Sequence, residues 1–293
     1  MSRIGIVGTG FMGSAATELL VSKGYRVYVY NRTREKAERL CKELACTVTN
    51  AISELVKHVD IVILWITDSA ALLDVVSKIV ENEKKTVVVN MSTVSTWASS
   101  LAEQMLKPRG DCYIEAPVLG GPHDIRASRA IVLVGGDEKC IEKSLGILKV
   151  FAESGELVRV GPVPKAMALK LALNKMFFTV AASFFEALAF TKYYGVEELF
   201  REVLSKTFLA SVVDKYWTRV HAPSRKPRFS AYNAAKDLLE YISSSYRAKL
   251  PSHMAAAAYQ LLTETSLEGM GTTDYCDAGK RLLDLVDRKK RLG

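Results

Sequence analysis

The sequence predicts an α/β domain followed by an all-helical domain. Up to Gly161, short apolar runs alternate with stretches of helical spacing, a pattern typical of a doubly wound, mainly parallel sheet. Beyond Gly161 the strand-like runs stop, and one helical stretch follows another. A chain of 293 residues is long enough for two domains. We therefore expect domains at 1–161 and 162–293, joined directly by a long helix.

The elements of the first domain follow from the apolar runs and the segments between them. Gly24 stands just past the first helical segment, where glycine commonly ends a helix. Thr33 stands where the N-cap of the next helix is expected. The predicted strands are 3–8, 25–31, 61–66, 86–92, 112–118 and 130–136. The predicted helices are 11–23, 33–45 and one segment between the third and fourth strands.

The second domain is predicted to begin with one long helix. The segment 164–195 has helical spacing without a break until Gly195. About 28 helical residues would span roughly 42 Å at 1.5 Å per residue. Further helices are predicted at 197–221, 230–248, 251–267 and 274–290.

The composition and charge of the chain argue against two classes of binding partner, nucleic acids and membranes. The chain has a formal net charge of +8, but its basic residues are spread out, with the densest cluster at 288–291. No motif that reads nucleic acid accompanies them, so we expect no nucleic-acid partner, and small anionic substrates suit a basic protein better. No apolar run reaches the ~20 residues of a membrane span. The start of the chain runs directly into a strand, so we expect no signal peptide, no membrane partner and a cytoplasmic location.

Cysteine and histidine spacing gives no sign of a metal site. No CxxC pair is present, and the four histidines lie far apart in the sequence. Buried thiols are the simplest interpretation of the cysteines. The five cysteines are Cys41, Cys46, Cys112, Cys140 and Cys276.

A glycine-rich stretch at the first strand–helix junction predicts a dinucleotide site. Gly8, Gly10 and Gly13 form GxGxxG between a strand-like run and a helical run. The first glycine permits a tight turn, the second lets the backbone approach a pyrophosphate, and the third allows close helix–strand packing. This arrangement is the Rossmann fingerprint. The residues expected to contact the cofactor here are Gly8, Thr9, Gly10, Phe11, Met12 and Gly13.

The end of the second strand predicts which cofactor binds. An NAD site usually has a carboxylate there, about 20 residues after the glycines, for the ribose 2′-hydroxyl. This chain has Asn31, Arg32 and Thr33 instead. An amide and a hydroxyl can contact a 2′-phosphate, and a guanidinium can pair with it and stack on adenine. We therefore expect NADP, with Arg34 as a solvated surface charge.

A lysine and an asparagine on the long helix are the candidate catalytic pair. Lys170 and Asn174 stand at i and i+4, so they share one helix face. Their neighbours are mostly apolar. A lysine in such surroundings either extends its ammonium group to water or lies in a cleft with a lowered pKa, and spacing alone leaves both open.

Four ordered segments resemble the β-hydroxyacid dehydrogenases, the family of 3-hydroxyisobutyrate dehydrogenase. The similarity spans nearly the whole chain and implies a Rossmann domain, a helical domain and NAD(P)-dependent hydride transfer. The segments are GIVGTGFMGSAATELLVSKGYRVYVYNRT, EAPVLGG followed by IVLVGGD, GPVPKAMALKLALN, and AAKDLLE with LPSHMAAAAYQLL and GMGTTDY beyond it.

The resemblance implies a role for each matching residue in catalysis and substrate binding. Lys170 matches the general acid/base, and Asn174 matches the amide that orients lysine and substrate. Gly120 and Gly121 match backbone that receives the substrate carboxylate. Thr93 matches a residue near the nicotinamide ribose.

Further matches concern the cofactor side. Lys236 and Asp237 match a Lys-Asp pair, from which we assign Lys236 to the cofactor and Asp237 to the substrate. Trp65, Ile66 and Thr67 follow a buried strand and are expected to line the cofactor pocket.

The chain departs from the family pattern where the substrate carboxylate is expected. Leu119 replaces a serine whose hydroxyl would bond that carboxylate. Recognition would then depend on backbone N–H groups, on Ser92 or Ser95, or on a basic residue such as Arg126 or Arg129. We place Ser92 and Leu119 in the substrate site on this basis.

These features predict an NADP-dependent 3-hydroxyacid dehydrogenase acting on L-serine, 3-hydroxyisobutyrate or 3-hydroxypropionate. The alternative within the enzymes is a reductase of a small aldehyde acid such as glyoxylate or succinic semialdehyde. A non-catalytic NADP-binding module is the alternative from another class, and the retained Lys170 argues against it. The resemblance also implies a homodimer or homotetramer formed through the helical domain.

Overall fold

The computed structural model describes residues 2–222 and 227–292. The chain divides into two compact units, Met1–Leu171 and Ala172–Gly293. The division falls within the long helix, which therefore contributes its first two turns to one unit and the rest to the other.

The first unit contains nine strands. Apart from β6 and β7, which follow each other directly, the strands alternate with helices, as expected of a sheet covered on both faces. The strands are β1 (Arg3–Val7), β2 (Arg26–Tyr30), β3 (Cys46–Val48), β4 (Ile61–Leu64), β5 (Val87–Asn90), β6 (Cys112–Glu115), β7 (Val118–Leu119), β8 (Ile131–Gly136) and β9 (Glu156–Gly161).

Seven helices connect these strands, and side-chain caps fix several of their starts. The carboxylate of Asp68 accepts from the N–H of Ala71, and the hydroxyl of Ser95 accepts from that of Ala98. The helices are α1 (Phe11–Ser22), α2 (Arg34–Glu43), α3 (Ile52–His58), α4 (Ser69–Val80), α5 (Thr96–Leu106), α6 (Pro122–Arg126) and α7 (Glu138–Phe151).

The sheet is mainly parallel and doubly wound, as predicted. Its order is β3-β2-β1-β4-β5-β6-β8-β7, with β9 paired to β8. The strands β1 to β6 run parallel, whereas β8 is antiparallel to β6 and β7. The order reverses between β1 and β4, and ligands of such sheets bind outside the carboxyl ends of the strands at this point.

The second unit is helical within the described ranges, and the long helix is confirmed. Gly195 follows that helix with φ of 71°, the left-handed conformation that glycine adopts without strain. The helices are α8 (Lys165–Tyr193), α9 (Glu197–Leu204), α10 (Ala210–His221), α11 (Ala231–Arg247), α12 (His253–Thr265) and α13 (Asp277–Leu292).

The single helix predicted at 197–221 is wrong, because the segment forms α9 and α10. Thr207 lies at the break. Its hydroxyl donates to the carbonyl of Leu204 and accepts from the N–H of Leu209 at 3.2 Å. Threonine side chains that bond the nearby backbone in this way compete with helix propagation.

Among the described residues, the long helix α8 is the one that meets the length and hydropathy of a membrane span. By length and composition it could cross a membrane, since an 18-residue window reaches a mean hydropathy of 1.3. Phe178, Phe185 and Leu188 of this helix lie in the hydrophobic core of the second unit. The core helix of a globular domain passes the same test, so the composition of α8 has a packing explanation.

The interpretation of all five cysteines as buried thiols is wrong for four of them. Cys41 on α2 is bonded to Cys46 at the start of β3, and Cys112 on β6 is bonded to Cys140 on α7. Only the fold brings the second pair together, because 28 positions separate these cysteines. Cys276 is a buried free thiol, as expected.

Candidate active site

Packing constrains two of the three fingerprint glycines. Gly8 has φ of 99°, and a Cβ there would lie 2.1 Å from the carbonyl oxygen of Trp65. A Cβ at Gly13 would lie 2.0 Å from the carbonyl oxygen of Gly8. A side chain at Gly8 would push the loop away from the end of β4. A side chain at Gly13 would push α1 away from the loop. These two glycines therefore serve the turn and the helix–strand packing predicted from the sequence.

The middle of the loop is open. A Cβ at Gly10 would meet no atom within 4 Å, and Phe11 at the start of α1 is 71% exposed. The hydroxyl oxygen of Thr9 is buried and finds no hydrogen-bond partner among the described residues. Open backbone, a helix start and an unpaired hydroxyl suit a dinucleotide pyrophosphate. Met12 packs against the core of the sheet.

Asn31 joins the glycine loop to the end of β2. Its side-chain oxygen accepts from the N–H of Thr9 at 3.0 Å, and its amide nitrogen donates to the carbonyl of Thr33 at 2.8 Å. An aspartate could accept the first bond but could not donate the second. One of the two amide hydrogens is thus already engaged, and the other remains for a ligand.

The two arginines after β2 differ in their partners. Arg34 pairs with Glu38 along α2, with 2.7 Å between Nε and Oε1. Arg32 is exposed and pairs with no carboxylate in the part of the chain that the structure describes. Thr33 is exposed at the N-cap position, but its hydroxyl makes no capping bond. Arg32 is therefore the guanidinium that can receive an anion here, and Arg34 is a paired surface charge.

The three residues predicted to line the cofactor pocket follow β4, and each makes a contact within the protein. The indole of Trp65 is buried and meets Phe151 edge to face, with 6.4 Å between ring centroids. Ile66 donates its N–H to the hydroxyl of Ser92 at 2.8 Å. Thr67 is exposed, and its hydroxyl donates to Asp68.

The two serines proposed for the substrate carboxylate are engaged elsewhere. Ser92 donates its hydroxyl to the carbonyl of Leu64 at 3.0 Å, so its only hydrogen is used within the protein. Ser95 is fully buried and shares a hydrogen bond of 2.8 Å with Ser69. Ser92 ties the loop after β5 to the carboxyl end of β4, and Ser95 ties the start of α5 to that of α4. Thr93, between them, is half-buried and has protein contacts of its own.

The glycine pair proposed for the carboxylate lies at the end of β7. Gly120 has φ of 140° and is exposed, and Leu119 before it is half-buried. The N–H of Gly121 donates to the Asp124 carboxylate at 2.8 Å, which caps α6. One of the two expected backbone donors is therefore occupied in this structure.

Both arginines proposed as substitutes meet protein carboxylates. Arg126 forms a two-bond pair with Glu18 on α1, which raises the pKa of Arg126. Arg129 lies 3.7 Å from the Asp124 carboxylate. Neither arginine is held ready for a substrate.

A buried carboxylate at the end of β6, that of Glu115, is not among the site residues predicted from the sequence. Glu115 is fully buried and accepts from the Ser99 hydroxyl at 2.5 Å. It also accepts from the backbone N–H groups of Ala166 and Met167, at 3.1 and 3.2 Å, in the first turn of α8. Burial, opposed by these hydrogen bonds, raises the pKa of Glu115 to about 7. A charged residue at the end of an apolar run was the signal in the sequence.

Lys170 stands one turn further along α8. It is half-buried and makes contacts within the protein. Asn174 follows after one more turn of the same helix, so the predicted pair does share a helix face.

In the second unit, three predicted residues come together. The amide nitrogen of Asn174 donates to Oδ2 of Asp237 at 2.6 Å. Oδ1 of Asp237 is 2.5 Å from the Lys236 ammonium nitrogen. Asn174 and Asp237 are buried, with 4% and 2% of their surfaces exposed. The carboxylate thus fixes the orientation of the amide, whose side-chain oxygen is left to accept a hydrogen bond.

A Rossmann sheet with an open glycine loop, followed by a helix that carries a lysine and an oriented asparagine, defines an NAD(P)-dependent oxidoreductase. Two family models match. Residues 3–161 match the model described as the NAD binding domain of 6-phosphogluconate dehydrogenase. Residues 165–282 match the model described as NAD-binding of NADP-dependent 3-hydroxyisobutyrate dehydrogenase. The chain belongs to the β-hydroxyacid dehydrogenase family.

Individual relatives are distant. Glyoxylate/succinic semialdehyde reductase 1 of Arabidopsis thaliana is 24% identical over 281 residues, which cover 93% of this chain and 95% of that protein. The cytokine-like nuclear factor N-PAC of Homo sapiens is 27% identical over 265 residues, which cover 88% of this chain but only 47% of that protein. A solved 3-hydroxyisobutyrate dehydrogenase from Mycobacterium tuberculosis, with L-serine, has a TM-score of 0.84 at 19% identity, covering 96% of this chain and 99% of that one. The last similarity supports the fold.

Proposed function

We propose that this chain is an NADP-dependent dehydrogenase of a small 3-hydroxy acid, with L-serine, 3-hydroxyisobutyrate and 3-hydroxypropionate as candidate substrates. The observation that carries this proposal is the alignment of Lys170 and Asn174 on one helix face, with Asn174 held by Asp237. Alcohol oxidation needs a positioned group that takes the proton of the hydroxyl, and Lys170 beside the oriented amide of Asn174 can supply it.

The contrast between Arg32 and Arg34 supports NADP. Arg32 is unpaired in the described part of the chain, whereas Arg34 is neutralised by Glu38. The end of β2 has no carboxylate to repel a 2′-phosphate. A hydrogen bond to a charged group contributes about 1.5–3 kcal/mol, enough for roughly ten- to hundred-fold preference for NADP over NAD.

Two residues of the chain would have separate roles in the reaction. Bound nicotinamide supplies the acceptor or donor of hydride. Neutral Lys170 takes the proton of the substrate hydroxyl during oxidation, and its ammonium form returns a proton to the carbonyl oxygen during reduction. Asn174, fixed through Asp237, accepts from the lysine or the substrate hydroxyl with its free side-chain oxygen.

Reduction of a small aldehyde acid is the second candidate. The Arabidopsis relative is named as a glyoxylate/succinic semialdehyde reductase and aligns over nearly its whole length. Recognition of the substrate carboxylate differs from the family pattern in either direction of reaction. The Ser92 hydroxyl donates to the protein, and the Leu119 side chain has no donor. We therefore assign this role to the backbone at Gly120 and Gly121, where a substrate carboxylate would have to compete with Asp124 for the N–H of Gly121.

We extend the proposal to assembly and location. The second unit exposes large apolar side chains, which suit a homodimer or homotetramer. These side chains include Phe190, Tyr194, Leu199 and Phe208. A cytoplasmic enzyme without a nucleic-acid or membrane partner agrees with the spread of basic residues and with the proposed small anionic substrate.

The experiment that tests the proposed reaction is a substrate panel with both cofactors. L-Serine, 3-hydroxyisobutyrate and 3-hydroxypropionate would be assayed for oxidation, and glyoxylate and succinic semialdehyde for reduction, each with the NADP and the NAD couple. We expect turnover of a three- or four-carbon acid with the NADP couple preferred. Lack of turnover with every acid would favour a non-catalytic NADP-binding module instead.

A further inference from the structure

Glu115 belongs to a chain of buried polar groups at the carboxyl edge of the sheet. Asn90 ends β5 and donates its amide to the Tyr113 hydroxyl at 3.0 Å. The hydroxyls of Tyr113 and Ser99 lie 2.9 Å apart. When Glu115 is ionised, the one hydroxyl hydrogen of Ser99 points to its carboxylate, so Tyr113 is then the donor to Ser99. In that state every hydrogen bond of the chain is donated in the direction from Asn90 to Glu115.

The chain of hydrogen bonds extends to the loop after β5. The N–H of Ser92 donates to the side-chain oxygen of Asn90 at 3.0 Å. The network thus begins next to Thr93 and ends on a carboxylate that holds α8. Hydrogen bonds aligned in one direction strengthen one another, particularly in a buried environment.

Three donors converge on the Glu115 carboxylate from two helices. Ser99 comes from α5, and the N–H groups of Ala166 and Met167 come from the first turn of α8. The backbone of β8 passes so close that a Cβ at Gly135 would lie 3.0 Å from the carboxylate oxygen. The free N–H groups at a helix start and the partial positive charge there favour an acceptor of this kind.

Lys170 follows these two anchored residues by three and four positions on the same helix. Any tilt or rotation of the first turn of α8 would displace the lysine side chain as well, because side chains of a helix move with its backbone. A misplacement of about 1 Å can cost a factor of roughly 100 in rate.

We infer that Glu115 is a positioning residue for Lys170, acting through the first turn of α8. It does not touch the reacting atoms, since it is fully buried and its oxygens are committed to Ser99 and to the helix backbone. The inference rests on the proposed role of Lys170 as the proton-transfer group.

A buried carboxylate at the opposite end of the same strand provides the control. Asp111 precedes β6, accepts from the N–H of Thr86 at 2.7 Å and pairs with Arg109 at 2.8 Å. It is 6% exposed. Asp111→Asn therefore perturbs a buried carboxylate on the same strand without touching α8.

The test compares Glu115→Ala, Glu115→Gln and Asp111→Asn in the full chain. Lysines are labelled by reductive ¹³C-methylation, and the Lys170 resonance is identified by its loss in Lys170→Arg. Turnover is measured with NADP and the best acid of the substrate panel, per folded molecule. Glutamine keeps an oxygen for the two N–H groups, so it is the conservative variant.

We expect Glu115→Ala to shift the Lys170 resonance and to lower kcat roughly 10- to 100-fold, with NADP affinity unchanged. Glu115→Gln should keep the parental Lys170 resonance and the parental kcat. Asp111→Asn should change neither the resonance nor kcat, even if it lowers the melting temperature. If Glu115→Ala does not fold, Glu115→Asp replaces it, since the shorter side chain cannot reach both N–H groups and is expected to behave in the same way.

An unchanged Lys170 resonance and unchanged kcat in Glu115→Ala, or in Glu115→Asp, would overturn the inference. A shifted Lys170 resonance together with a lowered kcat in Asp111→Asn would overturn it too, because the effect would then be general destabilisation. The resonance is read without any substrate, and Lys170→Ala is assayed separately. Failure of the positioning role is therefore distinguishable from failure of the proposed function.

Discussion

The side-chain amide of Asn174 donates to the carboxylate of Asp237 at 2.6 Å, and both groups are buried. The same carboxylate pairs with the Lys236 ammonium group at 2.5 Å. Asp237 therefore joins a lysine on its own helix to an asparagine on α8. Of the three residues, it is the one on which the orientation of the other two depends.

We predict that Asp237→Ala lowers kcat roughly 10- to 100-fold. It removes the carboxylate that accepts from the Asn174 amide, and a buried unsatisfied group costs about 1–3 kcal/mol. The measurement is kcat of the folded variant with its melting temperature. Asp214→Ala, at an exposed position on α10, is the control and should match the parent. Parental kcat in Asp237→Ala would show that this pair does not orient the site.

We predict that Arg32→Glu shifts cofactor preference toward NAD. The substitution replaces an exposed, unpaired guanidinium with a charge that repels a 2′-phosphate. The ratio of kcat/KM for NADP to that for NAD should fall by at least about tenfold. Arg34→Glu is the matched control, because Arg34 is already paired with Glu38. A strong preference for NADP that persists in Arg32→Glu would contradict the assignment of the phosphate site.

We predict that Glu115 makes folding stability depend on pH near neutrality. Its pKa is raised from 4.5 to about 7, so the folded protein holds a proton that the unfolded chain releases between these values. The contribution of protonated Glu115 to the free energy of unfolding is fully present below pH 4.5 and is lost as the pH rises through about 7. A shift of this size corresponds to at most about 3 kcal/mol.

Chemical denaturation at about pH 5 and about pH 8 tests this dependence. The parent should lose more stability between the two conditions than Glu115→Gln, which does not titrate. Ionisation of all other groups is common to both proteins and cancels in the comparison. Equal losses in the two proteins would show that Glu115 titrates at an ordinary pKa in the folded state.

We predict that thiol counting distinguishes two disulfides from five free cysteines. Denatured, unreduced protein should react with one alkylating group, at Cys276, and reduced protein with five. Removing Cys112–Cys140 by double serine substitution should cost about 2–4 kcal/mol, with kcat unchanged. Five reactive thiols before reduction would contradict both bridges.

Sequence periodicity predicted the elements with strong local signals. The six buried strands, the fingerprint turn and α8 depend on apolar runs and glycine positions that neighbouring residues determine. The short strand β3 and the helix α3 were missed because three and seven residues are too few for a clear period. The helix α7 was also missed, although Asp137 as its N-cap and a buried stripe through Ile141, Leu148 and Phe151 give a usable signal.

The residues of the candidate site also fall into two groups, those that the local sequence predicts and those whose contacts depend on the fold. The glycines and Arg32 are recognisable from local order along the chain, and the Lys170–Asn174 pair from helical spacing. The contacts of Ser92 and Glu115 depend on which strands and helices pack together in the fold. A single sequence does not specify those pairings, so Ser92 was assigned to the substrate although its hydroxyl bonds Leu64. The bridge between Cys112 and Cys140 depends on the fold for the same reason.

The proposed reaction depends on Lys170 as the group that transfers the proton. Formation of reduced cofactor by the parent and by Lys170→Ala, with NADP and the best acid of the panel, tests it most directly. We predict that Lys170→Ala abolishes turnover while NADP affinity and melting temperature stay at parental values. An equal kcat in the two proteins would remove the lysine from the mechanism and contradict the proposed function.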